Sequence, residues 1–90
     1  MAKKPAEPLA TGPAPSPGRI VHFFDREEIV EAARTERDPE PTVGLIRRVR
    51  NAEGACDLVL FTDLGPRNLD AVPLADHHAQ AGAWAFPARV

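Results

Sequence analysis

Apolar residues in this chain gather in five short runs separated by turn signals. The runs are Gly-Arg-Ile-Val-His-Phe-Phe (18–24), Thr-Val-Gly-Leu-Ile-Arg-Arg-Val-Arg (42–50), Cys-Asp-Leu-Val-Leu-Phe-Thr (56–62), Asn-Leu-Asp-Ala-Val-Pro-Leu (68–74) and Gly-Ala-Trp-Ala-Phe-Pro (82–87). Each has strand length, and their even spacing is the pattern of a small all-β unit. In the first run Ile20, His22 and Phe24 share one side and Val21 and Phe23 the other, because side chains alternate along a strand. In the second, Val43, Leu45, Arg47 and Val49 oppose Gly44, Ile46, Arg48 and Arg50. Neither set is uniformly apolar, so a bulge near Gly44 is expected. The third run places Leu58 and Leu60 on one side and Val59 and Phe61 on the other.

The segments between runs carry their own signals. Asn51-Ala52-Glu53-Gly54 closes a hairpin, with Gly54 suited to positive φ. Asp63-Leu64-Gly65-Pro66 is a second turn, and Pro73 marks an edge or strand end because proline cannot donate to a ladder. Between the first and second runs, Asp25 reads as a helix N-cap with Glu28 at capping-box spacing. The helix is about ten residues long and stops before Pro39. Ile29 and Ala33, four apart, are expected to rest on the sheet. The fold class is therefore mainly β: a small five-stranded SH3-like barrel with one short helix inserted after the first strand.

Composition sets the organisation. Five of the ten prolines fall at positions 5, 8, 13, 15 and 17, and Leu9 is the only large aliphatic side chain in that stretch apart from Met1. Residues 1–17 are therefore expected to be a disordered proline-rich arm, and residues 18–90 a single small barrel domain. A core of roughly 70 residues supplies only a few kcal/mol, so assembly would help it. Cys56 is the only cysteine, which excludes an internal disulfide and fits a reducing compartment. Lys3 and Lys4 lead into no apolar segment, so no secretory signal is expected, and no run is long enough to span a bilayer.

Charge is uneven although the net value is −2. Residues 25–40 carry seven acids against three arginines, whereas Arg47, Arg48 and Arg50 stand together without an acid. The two patches pair with each other or face different partners. Nucleic-acid binding through the three arginines is disfavoured, because the patch is short and the aromatic residues fall in core-like runs. Arg47, Arg48, Arg50, Glu27, Glu31 and Trp84 are the candidate interaction surface; for Trp84 and Phe86, which share a face, the leading expectation is that they close the core, and an exposed anchor for a partner is the alternative.

No catalytic or metal-binding constellation is legible. His22, His77, His78 and Asp76 lack metal-ligand spacing. Cys56 has no histidine placed beside it by sequence, and Asp57 would raise its thiol pKa. No catalytic residue, metal or cofactor is assigned, and the expectation is a protein that is not an enzyme.

The opening Gly-Arg-Ile-Val-His-Phe (18–23), the strand ending Asp-Leu-Val-Leu-Phe (57–61), Asn-Leu-Asp-Ala-Val-Pro (68–73) and the closing Gly-Ala-Trp-Ala-Phe-Pro (82–87) together resemble a family of small bacteriophage and prophage proteins. Members typically open with a Gly-Arg-Ile-Val-His-Tyr type segment and close with a Gly-Thr-Trp-His-Trp-Pro type segment. Here Phe23 stands for the opening tyrosine, and Ala85 and Phe86 for the closing histidine and tryptophan. The resemblance implies a setting without an activity: a phage or prophage product in the bacterial cytoplasm or incorporated in a virion. Its expected role is structural or accessory, through contacts with virion or host proteins or with further copies of itself, and without membrane. The second expectation is a small regulatory adaptor that binds protein or nucleic acid through the Arg47/Arg48/Arg50 face.

Overall fold

The computed structural model describes residues 14–77 and 79–87. Most of the expected arm, residues 1–13, lies outside the described residues, as does His78. The chain runs β1 (Ile20–Phe23), α1 (Arg26–Arg34), β2 (Thr42–Val49), β3 (Cys56–Thr62), β4 (Gly65–Val72) and β5 (Trp84–Ala85). All five strands form one antiparallel sheet in the order β4-β3-β2-β1-β5. The mainly β class and the helix after the first strand are as expected. The closed barrel is not, because β4 and β5 do not pair along their lengths. Only the segment after β4 reaches across: Trp84 N–H donates to the Pro73 carbonyl at 3.0 Å, and Ala75 N–H donates to the Trp84 carbonyl at 2.8 Å. The sheet curls at that end and leaves most of the β4 edge open.

One face of the sheet holds the core. Val21, Phe23, Ile46, Cys56, Leu58, Leu60, Val72 and Trp84 are buried together, with Val49, Leu69, Leu74 and Phe86 packed around them. Gly44 belongs to this face for lack of a side chain. A Cβ there would lie 2.6 Å from the Val59 carbonyl oxygen and 2.7 Å from Leu60 Cδ2. The Trp84 indole N–H donates to the Gly54 carbonyl at 2.8 Å, so the one polar atom of that ring is satisfied inside the core.

Two boundaries differ from expectation. The β3–β4 turn is only Asp63-Leu64, so β4 begins at Gly65 rather than Asn68. Gly65 has φ +108, and the Thr62 hydroxyl donates to its carbonyl at 2.7 Å while accepting from Leu64 N–H at 3.2 Å. The second-strand bulge falls at Arg47, between the Ile46 and Arg48 pairings, not at Gly44.

The helix also departs in detail. Asp25 occupies the N-cap with extended backbone angles, but its side chain makes no capping bond. The Glu28 carboxylate is turned away from the expected capping box: it accepts from the Arg37 guanidinium at 2.5 Å and from Glu40 N–H at 2.9 Å. Ala32 is the buried helical residue and Ala33 is exposed, which shifts the packed stripe by one position from the expected Ile29–Ala33 pair. The helix ends at Arg34, before Pro39, as Glu36 enters the left-handed region at φ 56.

Candidate functional site

Two features stand out on the sheet. The first is an ionic centre around Asp57, which is fully buried on β3 between its neighbours β2 and β4. The pairing is irregular on both sides of it. On β2, Arg47 is the extra residue between the Ile46–Leu58 and Arg48–Asp57 pairs. On β4, Asp70 and Ala71 together oppose Asp57, between the Leu69–Leu58 and Val72–Cys56 pairs. A bulge re-aims side chains and frees backbone groups. Here both bulges direct donors at one carboxylate. Asp57 Oδ1 accepts from Arg50 Nε at 2.5 Å and from Ala71 N–H at 2.8 Å, and Oδ2 accepts from Arg48 Nε at 2.9 Å.

These bonds hold the Asp57 carboxyl well below the usual carboxylate range. The Arg50 guanidinium contributes most, followed by the Ala71 N–H, and together with Arg48 they outweigh the opposing effect of burial. Arg50 is raised in return, chiefly by the same hydrogen bond. Arg47 belongs to the same cluster: its Nε donates to the Leu58 carbonyl at 3.2 Å and its Nη2 to Asp70 at 2.7 Å. Ala71 has φ 54, uncommon for a residue with a Cβ. That backbone conformation belongs to the bulge whose N–H meets Asp57.

The three arginines thus come together, but not with the acidic helix. The acids of that segment find nearer partners: Glu31 bonds Arg34 one turn on, and Glu28 bonds Arg37. Glu27 is exposed on the first turn. Trp84 is fully buried, which places it in the core and removes it from the candidate surface. Phe86 packs edge-on to it at 5.2 Å, and Arg19 lies 5.8 Å over the Phe86 ring. Cys56 is buried with its thiol 3.3 Å from the Gly54 carbonyl, and burial, then the Asp57 charge, pushes its pKa up. Such a thiol is poorly suited to act as a nucleophile. Among the described residues no group of three or more His, Cys, Asp or Glu is placed to hold a metal ion.

The second feature is the face of the sheet opposite the core, which sequence reading did not single out. Register sets Ile20, Leu45, Val59 and Asn68 side by side across four strands. One row further along lie His22 and Val43, then Phe61 and Pro66. Ile20 is 55% exposed, Phe61 51% and Val43 43%. Leu64, at the tip of the β3–β4 hairpin, is 99% exposed. A shallow groove passes over Val43, Phe61, Leu64 and Pro66, with Asp25, Asp63 and Arg67 on its walls. Large exposed apolar patches are uncommon on monomeric proteins. The signal was present in the sequence: runs 42–46 and 58–61 are apolar at nearly every position, which a strand with one wet face does not need. No helix among the described residues is long and apolar enough to cross a membrane. No family model, no curated protein and no solved structure matches this chain.

Proposed function

We propose that this is a non-enzymatic phage or prophage structural or accessory protein, acting through protein–protein assembly in the bacterial cytoplasm or in the virion. The observation that carries the assembly part is the second apolar face, with Ile20, Val43, Phe61 and Leu64 exposed on a sheet whose other face already contains the core. The phage setting rests on the opening and closing segments of the sequence. The reading through the arginine face has less support. Arg48 and Arg50 are committed to Asp57, and Arg47 to Asp70, so their donors already serve the fold.

The test is to tag the protein in its native lysogen or infected host, purify particles, and look for it by cross-linking and mass spectrometry. The expected result is co-purification with one particle component, lost in a Leu64→Arg variant that keeps its circular dichroism spectrum. Absence from particles and from every cross-linked complex contradicts the reading. A salt-sensitive shift of DNA or RNA, lost on Arg47→Ala, would favour the adaptor instead.

A further inference from the structure

The chain enters the sheet through a turn that reverses it. Arg19 N–H donates to the Ser16 carbonyl at 3.2 Å, with Pro17 and Gly18 at the two corners and Gly18 at φ +89. Proline at the second position and glycine with positive φ at the third are the signature of a type II turn. Gly18 N–H donates in turn to the Ile46 carbonyl at 2.8 Å, which fixes the turn beside Ile46 of β2. From there β1 runs toward Thr42, since Ile20 pairs with Leu45 and Phe23 with Thr42. Traced backward from the turn, the residues before Ser16 head the same way, toward the end of the sheet where the groove lies.

The groove has unanswered charge as well as an apolar floor. Asp25 and Asp63 stand on its walls, and neither has a cationic partner among the described residues. Arg67 is the cation on the rim; with the adjoining Arg26, Glu27 and Glu40 counted, acids lead by four to two. The arginines around Asp57 differ in that they are already bound within the chain. An occupant of the groove should therefore be extended and bring both cations and an apolar side chain.

Residues 1–13 have that chemistry. Lys3 and Lys4 outnumber Glu7, and Leu9 stands among Pro5, Pro8 and Pro13. Proline-rich segments are close to the extended polyproline shape before they bind, and they dock on grooves that present aromatic rings, here Phe61. The reach suffices. Val43 lies three residues along β2 from Ile46, ~10 Å at strand rise. At about 3.1 Å per residue, Leu9 extends ~15 Å from Ala14 and Lys4 ~30 Å. A short tether holds the segment at an effective concentration of order millimolar, so a weak contact suffices to fill the groove.

We propose that residues 1–13 fold back over the outer face and seat in this groove, with Leu9 on Phe61 and Leu64 and with Lys3 and Lys4 toward Asp63 and Asp25. The arm is then an internal occupant that any partner at the hairpin end must displace.

The test is a nitroxide attached at Ala10→Cys on the full chain, read by line broadening of backbone amides in solution NMR. Cys56 is buried, so the label goes to position 10. The expected result is broadening at Val43, Phe61 and Leu64 several-fold greater than at Asn51–Gly54, at the opposite end of the strands. The combined variant Lys3→Glu, Lys4→Glu, Leu9→Asp removes the excess at Phe61 and Leu64 and leaves the broadening at Ile20, beside the tether. Leu64→Arg, which sets a cation where the lysines approach, reduces it from the groove side, and added salt weakens it. Equal broadening at both ends of the strands, or a pattern that survives the combined variant, overturns the proposal. So does equal broadening of an isotope-labelled chain without nitroxide when mixed with a nitroxide-bearing one, which would mean that the arm of another copy fills the groove. A chain that lacks the arm contact but still enters particles overturns this inference alone; a chain with the contact that is absent from every particle and complex overturns the assembly reading alone.

Discussion

The two faces of the sheet are built from the same residue types and end in different places. Leu58 and Leu60 on β3 are buried among Val21, Ile46 and Trp84. Val59 and Phe61, their immediate neighbours, point the other way, and half of Phe61 meets solvent. Alternation alone does not distinguish these pairs, since both are large and apolar. What distinguishes them is the route of the chain after β4. Pro73–Ala75 and Trp84–Ala85 wrap the inner face and leave the outer face over β2 and β3 open. By this division, stability should reside on one face and association on the other.

Truncating one residue on each face tests this division with the largest expected effect. Leu58→Ala leaves a cavity in the core and should cost about 2–5 kcal/mol in urea unfolding. Phe61→Ala should cost the monomer well under half as much, because much of its ring is already in water. Equal losses would mean that the faces are not distinct. Next in size is Gly44→Ala. The added Cβ would sit 2.6 Å from a backbone oxygen of β3, so the β2–β3 pair must separate, at about 1–3 kcal/mol by thermal melting.

The ionic centre divides the molecule in a second way, and pH tests it. The folded-state pKa of Asp57 is depressed, so its contribution is present above the ordinary carboxylate range and is lost as pH falls through that range and below. Stability should be level from about pH 7 to 5 and fall steadily below about pH 4. Glu28, lowered chiefly by its bond to Arg37, acts in the same direction from the surface. Asp57→Asn should lower the melting temperature at neutral pH and flatten the acid limb without abolishing it. An unchanged acid limb would mean that Asp57 does not anchor the two bulges. The smallest effect belongs to Arg47→Ala. Its pair with Asp70 is largely solvent-exposed, so the loss of that pair should stay within about 1 kcal/mol.

The central elements were legible because they obey local rules. β3 matches its apolar run residue for residue, and Gly54 takes positive φ at φ +97, as the hairpin requires. The helix start at Asp25 and its stop before Pro39 follow from chain chemistry alone. Less local features were not legible. Gly65-Pro66 reads as turn, yet Gly65 serves as the first strand residue after a two-residue tip, which shifts the start of β4 by three positions. Barrel closure depends on whether β4 meets β5, and nothing in either segment states that.

The partner of the arginine cluster is hidden in the sequence for a different reason. Seven acids lie close by in sequence, whereas Asp57 is a single acid inside an apolar run. The hairpin at 51–54 already implied the right partner, since it folds Arg48 back onto Asp57. The bulge position is hidden on the same grounds. Gly44 looked like a gap in the pattern but is a close backbone approach, while the true irregularity gathers at the buried charge.

The separation of the two faces is tested most directly by Phe61→Arg, measured for melting temperature and for co-purification with particle components. The account predicts a melting temperature within a few degrees of the wild type, together with loss of the particle component that the wild type brings down. A variant that unfolds, or one that associates as strongly as the wild type, would contradict it.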